Sequence, residues 1–338
     1  MSDDRNSLLG MTIPPTPAPA KAAVGMCFDR TFPAGLVTQM ARRLDGGADQ
    51  LWIIEDCFYT GGISLAAAAL AVTERLHVGL GILPAVSRTA AITAMEIATL
   101  CGLGPGRVLP GIGHGVQSWM GQMGVRTPSP LTTLEEVIVA VTRLLAGETV
   151  TSHGREVTLE DVRLEAPPAE APPVLAGVQG PKSLAMAGRV AGGLVLAEPA
   201  GPTYVRWALD RAGHPDPFHV AVFAPICVTA DRAEAHRIMA PWVAERLPGV
   251  TGSPNGAMKT LPFLQDLVAL HADRGLEGIA TMPDDWWAEL GPIGTLDDAA
   301  AHLIALDEAG VHSVGLFPAA DLETARSQVD DVLALARR

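Results

Sequence analysis

Lysine is scarce in this chain: Lys21, Lys182 and Lys259 are the whole complement among 24 basic residues. Acidic residues outnumber basic ones 37 to 24, and the resulting charge of −13 opposes phosphate backbones and anionic lipid, so neither nucleic acid nor a membrane surface is an expected partner. Cysteine is sparse and scattered, at Cys27, Cys57, Cys101 and Cys227, without a CxxC pair. That excludes a disulfide framework and a zinc knuckle, and free thiols fit a reducing cytoplasm, the expected location. Long apolar runs are missing too. The longest, Ile63 to Val72, is interrupted by Ser64 and falls well short of the roughly 20 residues that span a bilayer. HExxH, GxSxG, GxxxxGK[ST] and a full GxGxxG after a strand are all absent, and no histidine pairs with another ligand at metal-binding spacing, so no metal is expected.

What remains is a core-forming, heavily punctuated chain, with 48% hydrophobic residues, 35 Gly and 27 Pro. Residues 1–21, rich in Pro, Ala and Ser, read as a flexible tail, and 22–338 as one domain. Short apolar runs alternate with helical patterns almost to the C-terminus. Strands are expected at 24–28, 50–54, 76–83, 108–112, 174–178, 193–197, 219–227 and 314–317. Helices are expected at 34–44, 64–73, 90–100, 131–146, 181–190, 233–246 and 296–309. Eight such βα units favour a (β/α)8 TIM barrel over a doubly wound sheet, which more often uses five or six strands. Two insertions break the rhythm. One, at 149–173, before strand 5, reads as a small hairpin ending in Ala-Pro-Pro-Ala-Glu-Ala-Pro-Pro. The other, at 247–294, before strand 8, holds Trp286, Trp287 and one helical stretch at 263–273, and reads as a lid or a dimer surface.

Four constellations fall at expected strand ends, where barrels carry their chemistry. Glu55, Asp56 and Cys57 follow the second strand and offer two candidate acids or bases, although an aspartate there equally caps a loop and a cysteine equally fills a core. Gly79 and Gly81 sit inside the third strand, which marks a bulge, a close ligand or tight packing. The segment from Gly104 to Gly115 places Gly113, His114 and Gly115 after the fourth strand. Backbone without side chains leaves room there for a flat ring, with His114 as a candidate donor. Gly177, Val178, Gln179, Gly180, Pro181 and Lys182 turn the fifth strand into a helix, and the open amides, helix dipole and lysine charge suit a phosphate.

In this order the segments resemble the luciferase-like superfamily of flavin and deazaflavin oxidoreductases. Gly104-Pro-Gly-Arg-Val-Leu-Pro-Gly-Ile-Gly-His-Gly115 is similar to its SPGRf-LGIGxG segment, Gly180-Pro-Lys-Ser-Leu-Ala-Met-Ala-Gly188 to its GPKxLxLAG segment, and 295–317 to its final GT…EAGVdxvxL stretch. The GPK helix start and the Gly81-Ile82 strand look most like the branch that uses coenzyme F420. The resemblance implies a dimeric barrel, a non-prolyl cis peptide at Gly81-Ile82 behind the cofactor ring, and cofactor contacts from Phe28, Asp56, Gly81, Ile82, Gly113, Gly115 and 177–182. It also implies hydride transfer at the deazaflavin C5 to or from a small organic substrate, with Asp56, Glu55 or His114 as the acid. Two departures matter. Cys57 stands where sugar-phosphate and alcohol dehydrogenases of the family carry histidine, and Val116 where the former carry a carboxylate, which argues against alcohol oxidation of their kind. The competing expectations are an FMN-dependent monooxygenase, a flavin-binding barrel without catalysis, and a plain phosphate-binding barrel with no flavin affinity.

Overall fold

A computed structural model describes residues 21–248 and 256–338, so the expected tail, except Lys21, and residues 249–255 of the second insertion lie outside the described residues. The strands are β1 (Ala23–Phe28), β2 (Gln50–Ile53), β3 (His77–Pro84), β4 (Val108–Gly113), β5 (Val150–His153), β6 (Thr158–Val162), β7 (Leu175–Gly177), β8 (Gly193–Leu196), β9 (His219–Pro225), β10 (Cys227–Val228), β11 (Ile293–Gly294) and β12 (Ser313–Phe317). Eight of them close a parallel barrel in the order β1-β12-β9-β8-β7-β4-β3-β2, as the βα rhythm predicts. The helices are α1 (Val37–Asp45), α2 (Gly62–Leu70), α3 (Ala90–Leu103), α4 (Gln117–Gln122), α5 (Pro130–Leu145), α6 (Pro181–Val190), α7 (Pro202–Ala212), α8 (Arg232–Ala244), α9 (Gly256–Thr260), α10 (Leu264–Ala280), α11 (Asp284–Trp287), α12 (Leu296–Glu308) and α13 (Leu322–Ala336). None is long and apolar enough to cross a membrane.

Local chemistry sets the helix starts. Pro130, Pro181 and Pro202 occupy first turns, where the missing N–H costs nothing. Thr295 and Asp298 form a reciprocal capping box on α12, and Asp321 caps α13. Both insertions are present. β5 and β6 pair as the expected antiparallel hairpin. The second insertion builds a small core of its own, with Phe263, Leu267, Ile279 and Trp287 packed against Met239 and Val243 of α8. Three differences from expectation shape the rim and the second insertion. The strand expected at 219–227 ends at Pro225, and β10 leaves the barrel to pair with β11. The single helical stretch expected at 263–273 continues as α10 to Ala280 across a break at Gly275, whose φ of 59° suits glycine. The six-residue α4 follows the fourth strand, between the helices expected at 90–100 and 131–146, where none is expected.

The barrel interior is filled by Trp52 and Phe223, set edge-on with ring centroids 5.3 Å apart. Beneath them runs a buried polar chain. Trp52 Nε1 donates to Gln50 Oε1 (2.8 Å), Gln50 Nε2 donates to Ser313 Oγ (2.7 Å), and the Ser313 hydroxyl meets His219 Nε2 (2.8 Å). Burial pushes His219 down to about 4, helped by His312 and His77, and burial alone does the same to His302, whose Nδ1 donates to Ala288 O. Both values lie below the ordinary 6.5, so the unfolded chain binds protons that the folded chain refuses. The contribution of these two histidines to stability should therefore fall as pH drops from about 6.5 to about 4 and level off below that, by up to ~3 kcal/mol per histidine. Urea titrations across that window check this, and His302→Asn, which keeps a donor for Ala288 O, should flatten the slope.

Candidate active site

The carboxyl ends of all eight barrel strands open into one cavity of about 1090 Å³. That slightly exceeds the roughly 300–1,000 Å³ of ordinary ligand pockets, so a cofactor and a substrate fit together. Its floor is built by β3. The β3–β4 register shifts between Leu80 and Leu83, and the Gly81-Ile82 peptide inside that bulge is cis, as the resemblance implies. Ile82 rests on two glycines. A Cβ on Gly177 would stand 2.6 Å from Ile82 Cγ2, and one on Gly113 would stand 2.9 Å from Ile82 Cδ1 and 2.8 Å from Gly177 O. Neither position accepts a side chain without displacing Ile82. Gly115, at φ 68°, turns the chain at the rim, where a Cβ would meet Met120.

Charged groups ring the floor. Asp56 Oδ2 accepts from Arg30 Nη1 at 2.6 Å, and the Arg30 guanidinium lies over the Tyr59 ring. Glu55 accepts from Arg88 Nη1 (2.6 Å), Arg88 Nη2 (2.8 Å) and the Gly62 N–H (2.6 Å), so its two oxygens anchor α2 and the β3–α3 loop. His114 bridges two helices. Its Nδ1 can only donate to Pro130 O (3.2 Å), which leaves Nε2 to accept from the Ser183 hydroxyl (3.1 Å), and burial lowers its pKa, so the ring is a neutral tautomer at pH 7. On the far side Glu198 follows β8, with Arg246 Nη2 at 4.0 Å, and Arg246 itself lies 3.7 Å over the Trp242 ring.

At the level of sequence, residues 16–313 match the family described as luciferase-like monooxygenase. The chain belongs to the luciferase-like monooxygenase family. It is 33% identical over 177 residues to the 5,10-methylenetetrahydromethanopterin reductase of Methanolobus tindarius, a segment covering 52% of this chain but only 49% of that relative. The reductase of the same name from Archaeoglobus fulgidus is 25% identical over 291 residues, 80% of this chain and 85% of the relative. Among solved structures, the coenzyme F420-dependent tetrahydromethanopterin reductase from Methanopyrus kandleri superposes with a TM-score of 0.73 at 20% identity, covering 94% of this chain and 98% of that one. The oxygenating constituent of 3,6-diketocamphane monooxygenase from Pseudomonas putida, in complex with FMN, superposes with a TM-score of 0.66 at 17% identity, covering 94% and 99%.

On this luciferase-like barrel the expected site residues separate into groups. Glu55, Asp56, Gly81, Ile82, His114, Gly115, Gly177, Val178, Gln179 and Gly180 line the cavity. Gly113 lies just beneath it as half of the seat of Ile82. Phe28 does not reach it: the ring is fully buried against Phe32, edge-on at 5.6 Å, because the β1 residue at that register points to the helix layer. Pro181 and Lys182 are exposed at the start of α6, outside the cavity lining. Gln179 is tied to the second insertion, its Oε1 accepting from the Gly256 N–H at 3.0 Å. Trp119 lines the mouth, edge-on to Phe58, whereas Met120 is fully buried under Gly115. Arg30, Ser183, Glu198 and Arg246 are among the lining residues that sequence reasoning misses. Glu198 carried a readable signal, an acidic residue at the end of an apolar strand, the same feature that marks Asp56.

Proposed function

We propose that this chain is a coenzyme F420-dependent oxidoreductase that moves a hydride between the deazaflavin C5 and a small organic substrate. The carrying observation is the cavity floor, where Ile82 on its bulge over Gly113 and Gly177 offers an apolar shelf that a side chain at either glycine would destroy. A flat ring fits such a shelf, and the likeness to proteins named as F420-dependent favours a deazaflavin. When bound, that cofactor supplies or accepts the hydride. The chain supplies the rest. Gly177 to Gly180 and the amides at the start of α6, which no side chain caps, would hold the phosphate tail, with Pro181 and Lys182 at its outer edge. Asp56 and Arg30 present a fixed polar pair to the substrate, and neutral His114 keeps the β4 loop docked on α5 and α6.

The FMN complex that shares this barrel supports a second reading, an FMN-dependent monooxygenase. Fluorescence titration with F420 and with FMN tests both. Micromolar or tighter F420 binding with weak FMN binding is the expected result, the reverse moves the protein to the monooxygenase reading, and binding of neither overturns both. Because Lys182 is exposed, its charge is screened, and Lys182→Ala should weaken F420 binding only about fivefold, or ~1 kcal/mol. The same titration checks that figure.

A further inference from the structure

Two loops at the cavity mouth meet through their aromatic rings. In barrel order β3 lies between β2 and β4, so the connections that follow β2 and β4 stand on either side of the Gly81-Ile82 floor. Cys57 from the first connection and Val116 and Trp119 from the second line the cavity, and Phe58 stands edge-on to Trp119, with ring centroids 6.4 Å apart and planes inclined at 71°. Phe58 is not there to build the core. It is 66% exposed, and its φ of 76° puts a bulky residue in the left-handed region that glycine prefers. Two residues on, the Thr60 hydroxyl is buried with no hydrogen-bond partner among the described residues. A loop that holds an exposed ring at such a cost shows the local strain that gathers at ligand clamps. The charge beside it is already taken up, because Asp56 is bound by Arg30 and the Arg30 guanidinium covers Tyr59.

We propose that Phe58 and Trp119 form the substrate-recognition corner of this site, and that the substrate carries a flat aromatic ring and no negative charge. The inference rests on the cofactor reading above, which puts the deazaflavin ring on the Ile82 shelf and leaves the rest of the mouth to the substrate. Rings inclined at 71° make a corner: a guest ring stacked on one of them presents its edge to the other, and so gains both favoured aromatic geometries. A saturated ring of the same size gains only buried area. Cys57 and Val116, which flank the two rings in the chain, add no fixed charge. Carboxyl groups outnumber guanidiniums six to two in the cavity lining, and the cofactor would bring its own negative tail to the start of α6, so both oppose an anionic guest.

Three probes that share one enone group test this: benzylideneacetone, its cyclohexyl counterpart and its ring-carboxylated counterpart. Their binding to the protein, with and without F420, is followed by ligand-detected NMR titration. Wild-type protein should hold benzylideneacetone about tenfold more tightly than either counterpart. Leucine keeps the apolar area and removes the ring. Phe58→Leu and Trp119→Leu should each weaken the preference for the aromatic over the cyclohexyl probe, and the double variant should reduce it to within about twofold, while F420 affinity stays within about twofold of wild type. Equal affinity of wild-type protein for the aromatic and cyclohexyl probes overturns the proposal, as does binding of no probe, tight binding of the carboxylated one, or a preference that survives in the double variant. These outcomes are independent of the cofactor reading. If wild-type protein fails to bind F420 and still shows a preference that depends on Phe58 and Trp119, the cofactor reading fails and the aromatic corner stands as a ligand site. If F420 binds and the preference is absent, the corner fails and the cofactor reading stands.

Discussion

Gly177→Ala is expected to lower F420 affinity by one to two orders of magnitude while moving the thermal midpoint little. The new Cβ would lie 2.6 Å from Ile82 Cγ2 and 3.3 Å from Ile82 Cγ1, and a β-branched side chain has few rotamers with which to retreat. Behind Ile82 lies the Gly113 backbone, so near that a Cβ built there would stand 2.9 Å from Ile82 Cδ1 and 3.1 Å from Ile82 Cγ1. In front there is the cavity. Ile82 therefore moves into the volume that the cofactor ring needs, and the cost of that displacement, ~1–3 kcal/mol, appears mainly as lost binding. The fold is spared because the shifted side chain enters open space instead of packed core. Adding Ile82→Ala to Gly177→Ala should recover much of the affinity, since the alanine clears the shelf. Fluorescence titration of the three variants, with calorimetry on each, checks the argument. An unchanged dissociation constant in Gly177→Ala would show that the Ile82 shelf is not where the ring lies.

The barrel was legible because its signal repeats. Eight apolar runs separated by capped helical patterns leave few alternatives, and all eight lie within or overlap the strands observed. Errors fell where a single residue overrides the pattern: Pro225 ends β9 two residues early, and Gly275 lets α10 break and continue. The site was half legible for a related reason. Glycine-rich turns announce themselves in sequence, and Gly81, Gly113, Gly115 and Gly177 all prove to be places where backbone or rim leaves no room for a Cβ. Side chains that complete the site from distant loops do not. Arg30, Glu198 and Arg246 come from three separate connections, and only closure of the barrel brings them to one mouth. Lys182 shows the opposite case, since its rarity made it prominent in sequence whereas the structure leaves it at the exposed edge.

The largest stability effect is expected at Gly79. Its alanine variant should lose about 3–5 kcal/mol and shift the urea midpoint accordingly. An added Cβ would stand 2.2 Å from Trp52 Cε3 and 2.4 Å from Trp52 Cδ2, and those ring atoms have nowhere to go. Trp52 is fully buried, its Nε1 is bonded to Gln50 Oε1, and its other side meets Phe223, which is itself set against Phe317 at 5.6 Å. Gly315 on the far flank is equally tight, a Cβ there reaching Phe223 at 2.7 Å and Trp52 at 2.9 Å. Either the indole tilts and abandons Gln50 inside the barrel, or β3 moves away from its neighbours; both routes are expensive. A double-mutant cycle decides whether Trp52 is the cause. Trp52→Leu alone should also destabilise, by about 3–5 kcal/mol, through the cavity and the stranded Gln50 oxygen. If the glycine exists to admit the indole, combining it with Gly79→Ala should cost at least ~1 kcal/mol less than the sum of the two, whereas strict additivity would place the constraint on Gly79 elsewhere in the barrel wall.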